Sequence, residues 1–160
     1  MSYITKVLQP GETVRFSGRL HWRIYIAPAL LLLTGLALEG AAKPLGHLSA
    51  PQPAIASFAA AAAGAIFLLY GVFAWCDRFV RRASTEIVVT DLRVIYKMGL
   101  FSRHTIEMNI SKIESVDVVQ GVLGRVLDYG AVDIRGTGAG FEPLRNIGAP
   151  LALRNAILVG

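Results

Sequence analysis

Two apolar stretches decide how this chain is read: Trp22–Ala42, WRIYIAPALLLLTGLALEGAA, and Ala54–Cys76, AIASFAAAAAGAIFLLYGVFAWC. As helices they reach about 31 Å and about 34 Å, against a bilayer hydrocarbon core about 30 Å thick. The second runs for 23 residues without a charge, which the buried helix of a soluble protein rarely does. The first has an uncharged centre of 15 residues, Ile24–Leu38, bounded by Arg23 and Glu39. Those two charges then lie about 24 Å apart along the axis, near opposite interfaces, with Arg23 snorkelling. The helix end accounts for Glu39 without an intramembrane role. A transmembrane hairpin follows, with Lys43–Pro53 as its loop.

The rest of the composition agrees. The chain of 160 residues is 54% hydrophobic and only 17% charged, below the quarter that soluble domains carry. Its formal charge is +5, distributed as +3 over residues 1–23, 0 over 24–76 and +2 over 77–160. The basic excess flanks the apolar blocks. Arg15, Arg19 and Arg23 precede the first, and Arg78, Arg81 and Arg82 follow the second. The positive-inside rule then puts both termini in the cytoplasm. Trp22 and Trp75 fall at that same interface, the level that aromatic rings favour. No Lys/Arg run with interleaved aromatics is present, which argues against nucleic acid. Residues 1–21 lack the apolar core of a signal peptide and are expected to stay in the mature protein. Cys76, alone, forms no intrachain disulfide and reads as a small interfacial hydrophobe.

Small residues offer a packing face between the spans: Ala59–Ala63, Gly64 and Gly71 on the second, Ala27, Gly35 and Gly40 on the first. Ala60-x-x-x-Gly64 suits the hairpin or a second copy. From Ser84 the apolar period changes to two, the mark of strands. Ile87 and Val89 alternate with Glu86 and Val88. Val94, Tyr96 and Met98 alternate with Arg93, Ile95 and Lys97. Ile106, Met108 and Ile110 alternate with Thr105, Glu107 and Asn109. Turns are expected at Thr90–Leu92 and Gly99–Ser102. Val116–Val119, Ala131–Arg135 and Phe141–Ile147 read as further strands. Gly121–Asp128 reads as a turn or short helix anchored by Leu123, Val126 and Leu127. Gly136–Gly140 reads as a glycine loop. Pro150 opens a final helix with the apolar stripe Leu153, Ala156, Ile157.

Several of these stretches, in order, resemble the bacterial pleckstrin-homology-like (PH) membrane protein family. They are Gly11-Glu12, His21-Trp22, TDLRVIYKMGL at 90–100, KIESV at 112–116, LGRVLDYG at 123–130 and RGTG at 135–138. The resemblance covers nearly the whole chain. It implies a PH-like barrel capped by a C-terminal helix, with no agreed catalytic residues to carry over.

The expected fold class is therefore a membrane α-helical hairpin plus a mainly-β PH-like barrel of six to seven antiparallel strands with a C-terminal capping helix. The expected segments are a cytoplasmic stretch 1–21, spans 22–42 and 54–76, an outer loop 43–53, a basic juxtamembrane linker 77–83 and the domain 84–160. Chemistry finds little support. His21 and His104 lie on one side of the proposed membrane and His47 on the other, and no His-x-x-x-His or Glu-x-x-His occurs, so no metal or cofactor is expected. Glu107, Asp117 and Asp133 read as the wet face of strands, and the chain as no enzyme. Eukaryotic phosphoinositide-binding relatives surround their first hairpin with several Lys/Arg, whereas the turn at 90–92 offers only Arg93 beside Asp91. Candidate contacts to lipid headgroups or an interface are Trp22, Arg23, Trp75, Arg78, Arg81 and Arg82. The expected function is a membrane-anchored interaction module, an accessory, scaffold or assembly subunit of a larger membrane complex. Its partners would be lipids and other integral membrane proteins or a second copy. The alternative is a module that responds to anionic lipid at the inner membrane surface.

Overall fold

The computed structural model describes residues 8–45, 51–100, 104–137 and 143–158. The chain divides into two units, Trp22–Val80 and the combination of Met1–His21 with Arg81–Gly160.

In the first unit a short 3-10 turn, Trp22–Tyr25, leads into helix α1, Ile26–Leu45, and helix α2 then runs from Pro51 to Ser84. Both helices are long and apolar enough to cross a membrane. Only 17% and 11% of their most apolar windows is buried, whereas the core helix of a soluble protein is mostly covered. The helices extend into the expected loop 43–53, and α2 absorbs Asp77–Ala83, expected as a linker. That stretch contains no Gly or Pro to stop it. Arg81 and Arg82 in its last turn also complement the helix dipole.

The two helices pack through glycines. A Cβ on Gly35 would sit 2.8 Å from Leu68 Cγ, and one on Gly71 would sit 2.8 Å from Leu32 Cδ2. One on Gly64 would sit 3.1 Å from Glu39 Cγ. Glu39 is thus not at a helix end; α1 continues to Leu45 and the glutamate stem lies over Gly64. Ala27 and Gly40, expected in the same face, are exposed.

In the second unit the described residues form seven strands: β1 Val14–Gly18, β2 Glu86–Thr90, β3 Arg93–Met98, β4 His104–Asn109, β5 Ile113–Val119, β6 Tyr129–Gly136 and β7 Leu144–Gly148. Helix α3, Val122–Val126, joins β5 to β6, and helix α4, Pro150–Leu158, closes the chain. All pairings are antiparallel, in a four-stranded sheet β1-β2-β3-β4 and a three-stranded sheet β5-β6-β7. An isolated bridge, Leu20 to Ile147, draws the β1 end of one sheet to β7 of the other. Strand β1 lies in the segment 1–21, which was expected to stand outside the domain. The hairpin is therefore an insertion between the first and second strands. Residues 101–103, 138–142 and 46–50 lie outside the described residues. They include part of the turn after Gly99, most of the glycine loop, the start of the expected last strand, and His47.

Alternation fills the core. Ile87, Val89 and Val94 from one sheet meet Val116, Val132, Ile134, Leu144 and Ile147 from the other. Val88 and Ile95, on the opposite face, are buried as well. Helix α4 plugs the barrel with Leu153 and Ile157, as its stripe foretold, and Ala156 packs beside them.

The registers also fix which loops share an end. Gly18 pairs with Ile87, Glu86 with Lys97 and Met98 with His104. In the other sheet Ile147 pairs with Gly130, and Val119 with Ala131. With Leu20 bridged to Ile147, the chain crossings at 18–21 and 81–86, the β3–β4 turn and the β5–β6 connection all lie at one end.

Leu153→Ala is expected to lower the stability of the barrel by about 3 kcal/mol, from lost transfer energy and an unfilled cavity. Denaturant unfolding of the detergent-solubilised chain measures it. Gly35→Ile is expected to cost about 1–3 kcal/mol by overpacking against Leu68. Its loss should appear as reduced cross-linking between cysteines placed on the two helices.

Candidate functional site

The six candidate contacts lie on the turn before α1 and on the last turns of α2. Trp22 and Arg23 are exposed on the 3-10 turn. Trp75 stacks on Tyr25, with ring centroids 5.0 Å apart and planes 27° from parallel. Tyr25 was not foreseen as its companion, because the pairing depends on how the helices align. Arg78, Arg81 and Arg82 follow one another on the last turns of α2, at the i, i+3 and i+4 spacing of one helix face. Arg78 lies 3.8 Å from the Asp77 carboxylate. Arg82 instead donates from Nε to the Leu20 carbonyl at 3.1 Å. It clasps the outgoing strand of chain to the returning one. Arg19 and Glu86, 3.7 Å apart, bridge the same two crossings.

Arg93 has a structural task. Its Nε and Nη2 donate to the two Glu12 carboxylate oxygens at 3.0 and 2.9 Å, and its Nη1 donates to Glu107 at 2.8 Å. Glu12 is fully enclosed; it also accepts from the Thr90 hydroxyl and the Gln9 amide, both at 2.8 Å. The Thr13 amide donates to Asp91 at 3.1 Å. The turn at 90–92 joins β2 to β3, since β1 precedes it, and the residues before β1 are bolted onto it. An arginine gripped by two carboxylates is poorly placed to receive a phosphate. The Arg93 hydrogen bonds are the main cause that holds the Glu12 carboxyl at about 2, well below its usual 4.5. The same bonds raise Arg93 above its ordinary value.

The other carboxylates expected on wet faces lie there. Asp117 stands opposite Asp133 across β5–β6, and Arg135 bonds Asp133 at 2.9 Å. The hydrogen bond to Asp133, with the nearby negative charges, raises Arg135. His21 stacks at a tilt on Tyr129, with centroids 5.2 Å apart. Among the described residues no group of three His, Cys, Asp or Glu is placed to hold a metal ion.

Helix α3 reverses an expectation. The sequence makes Leu123, Val126 and Leu127 apolar anchors, yet Leu123 is 65% and Val126 76% exposed. The buried residue is Gly124, where a Cβ would meet the Tyr129 carbonyl oxygen at 2.6 Å. The helix lies down on its glycine and turns its aliphatic side chains out. Beside it a concavity of about 500 Å³ is lined by Val118, Gln120, Arg125, Asp128 and Leu151. A second cleft, about 210 Å³, lies at the outer edge of β4, among Glu107, Met108, Asn109, Lys112 and Thr137. Among the described residues β4 pairs only with β3, and β5 only with β6.

Residues 29–158 match the family model of the bacterial PH domain. The chain belongs to that family. The match starts inside α1 and so leaves out β1, which the register nevertheless places in the sheet. No curated protein and no solved structure matches the chain.

Glu12 sets an expected pH response. Its folded value is depressed, so its stabilisation is complete above about 4.5 and is lost as pH falls toward about 2. Glu12→Gln should remove that acid-side loss. It should also lower stability at neutral pH by about 3 kcal/mol, by leaving Arg93 short of one partner. Unfolding midpoints of both chains across this range provide the check.

Proposed function

We propose that this bacterial PH-domain chain is a membrane-anchored, non-enzymatic interaction module, an accessory, scaffold or assembly subunit of a larger complex of membrane proteins. In this reading α1 and α2 span the bacterial inner membrane and both termini are cytoplasmic. Flanking arginines, the tryptophans at matching ends and the exposed apolar surface of both helices support the spans.

The observation that carries the reading is the insertion of the hairpin between β1 and β2. The domain is tied to its anchor by two crossings instead of one. Helix α2 runs to Ser84 and β2 starts at Glu86, so no flexible linker intervenes. A module held so closely meets membrane partners at an effective concentration on the order of millimolar. The outer edges of β4 and β5, unpaired among the described residues, suit a partner strand, whose main chain would complete the ladder. Purification in mild detergent after cross-linking in intact cells should yield a defined partner or a homo-oligomer. A clean monomer would count against the proposal.

The arginines of α2 favour a second reading, in which the module responds to anionic headgroups. Arg78 and Arg81 are the appropriate probes, because reversing Arg82 would also break its hydrogen bond to the Leu20 carbonyl. Under this reading, Arg78→Glu with Arg81→Glu abolishes function while insertion persists. Unchanged function disposes of it.

A further inference from the structure

We infer that the β5–β6 connection is a lipid-dipping tip: Val119, Val122, Leu123 and Val126 enter the headgroup region of the bilayer that the hairpin spans. The inference rests on that reading of the hairpin. Val122 is 80% exposed, Val126 76%, Val119 67% and Leu123 65%, and Leu127 beside them is also open. A cluster of aliphatic side chains turned outward on a small domain marks a surface meant to be covered. Gly124 makes the arrangement specific, since only a residue without a side chain lets α3 lie flat with these residues outward.

The position of the tip identifies what covers it. The strand registers put this connection at the end of the barrel where the chain leaves at His21 and returns at Arg81. Tyr129, which ends the connection, lies 5.2 Å from His21. The next residue is Trp22, whose ring belongs at the membrane–water interface. The tip therefore lies at the end of the domain from which the chain continues into the hairpin. Leu100, 55% exposed on the β3–β4 turn, adds an apolar side chain at the same end. The shape fits as well. At 65–80% exposure the side chains project outward, and none of them lines the concavity beside the helix, which suits a fluid phase better than a complementary surface. Arg125 between them is the single charge on α3 and matches lipid phosphate in sign.

The test uses the full chain with Cys76→Ser and single cysteines carrying an environment-sensitive fluorophore. It is reconstituted into vesicles of phosphatidylethanolamine and phosphatidylglycerol containing nitroxide-labelled lipids. Labels at Val122→Cys and Val126→Cys should emit to the blue and be quenched by nitroxides near the headgroups. A label at Glu114→Cys, at the far end of β5, should do neither, and one at Ile66→Cys in α2 should be quenched by deep nitroxides. Water-like tip labels beside a quenched Ile66→Cys overturn the tip and leave the hairpin standing. A water-exposed Ile66→Cys removes the hairpin reading and the tip with it. Tip labels shifted to the blue but unquenched mean a protein cover, from a second copy or a partner, and equally overturn the inference.

Discussion

Strand β1 is held to β2 by a register running from Val14 opposite Thr90 to Gly18 opposite Ile87, although residues 19–85 lie between them in the chain. This pairing closes the domain around the hairpin. Without it the four-stranded sheet loses an edge, and the bridge from Leu20 to Ile147 loses the strand that leads to it. Closing so long a loop costs entropy, though the cost grows only slowly with length. The structure meets it at both ends of the joint. At one end Glu12, Thr90 and Arg93 lock the residues before β1 onto the β2–β3 turn. At the other, Arg82 holds the Leu20 carbonyl and Arg19 faces Glu86.

These contacts separate two kinds of arginine. Arg82 and Arg93 are parts of the scaffold, with guanidinium groups spent on a carbonyl or on carboxylates. Arg78 and Arg81 lie on the last turns of α2 and belong to the proposed headgroup contact. The difference follows from position: a guanidinium that reaches two oxygens of one enclosed carboxylate gains directed hydrogen bonds. One on an exposed helix face is largely solvated.

Much of this was legible in the sequence. The two long helices follow from uninterrupted apolar runs, and the period-two strands from Ser84 onward and the stripe of α4 follow from repeated spacing, which burial enforces. Strand β1 was not legible, because VRFSG is short, mostly exposed and irregular in register between Val14 and Phe16. Its membership depends on a partner far along the chain. The grip of Glu12 on Arg93 was hidden for the same reason. The basic run Asp77–Ala83 suggests a linker, but nothing in it breaks a helix and α2 continues through it. At α3 the rule that apolar residues face inward failed. Gly124 held the usable signal, since a glycine within a short helix argues for close contact on its own side.

The insertion also orders events during synthesis. Strand β1 leaves the ribosome first and has no neighbour until residues 19–85 have been made, roughly 3–13 s later at ordinary elongation rates. Throughout that interval Val14–Gly18 waits as an open ribbon while the helices that follow find their place. The barrel cannot close before the hairpin exists, so a nascent chain whose hairpin stalls presents an unfinished sheet, a state that quality-control proteases and chaperones are able to recognise.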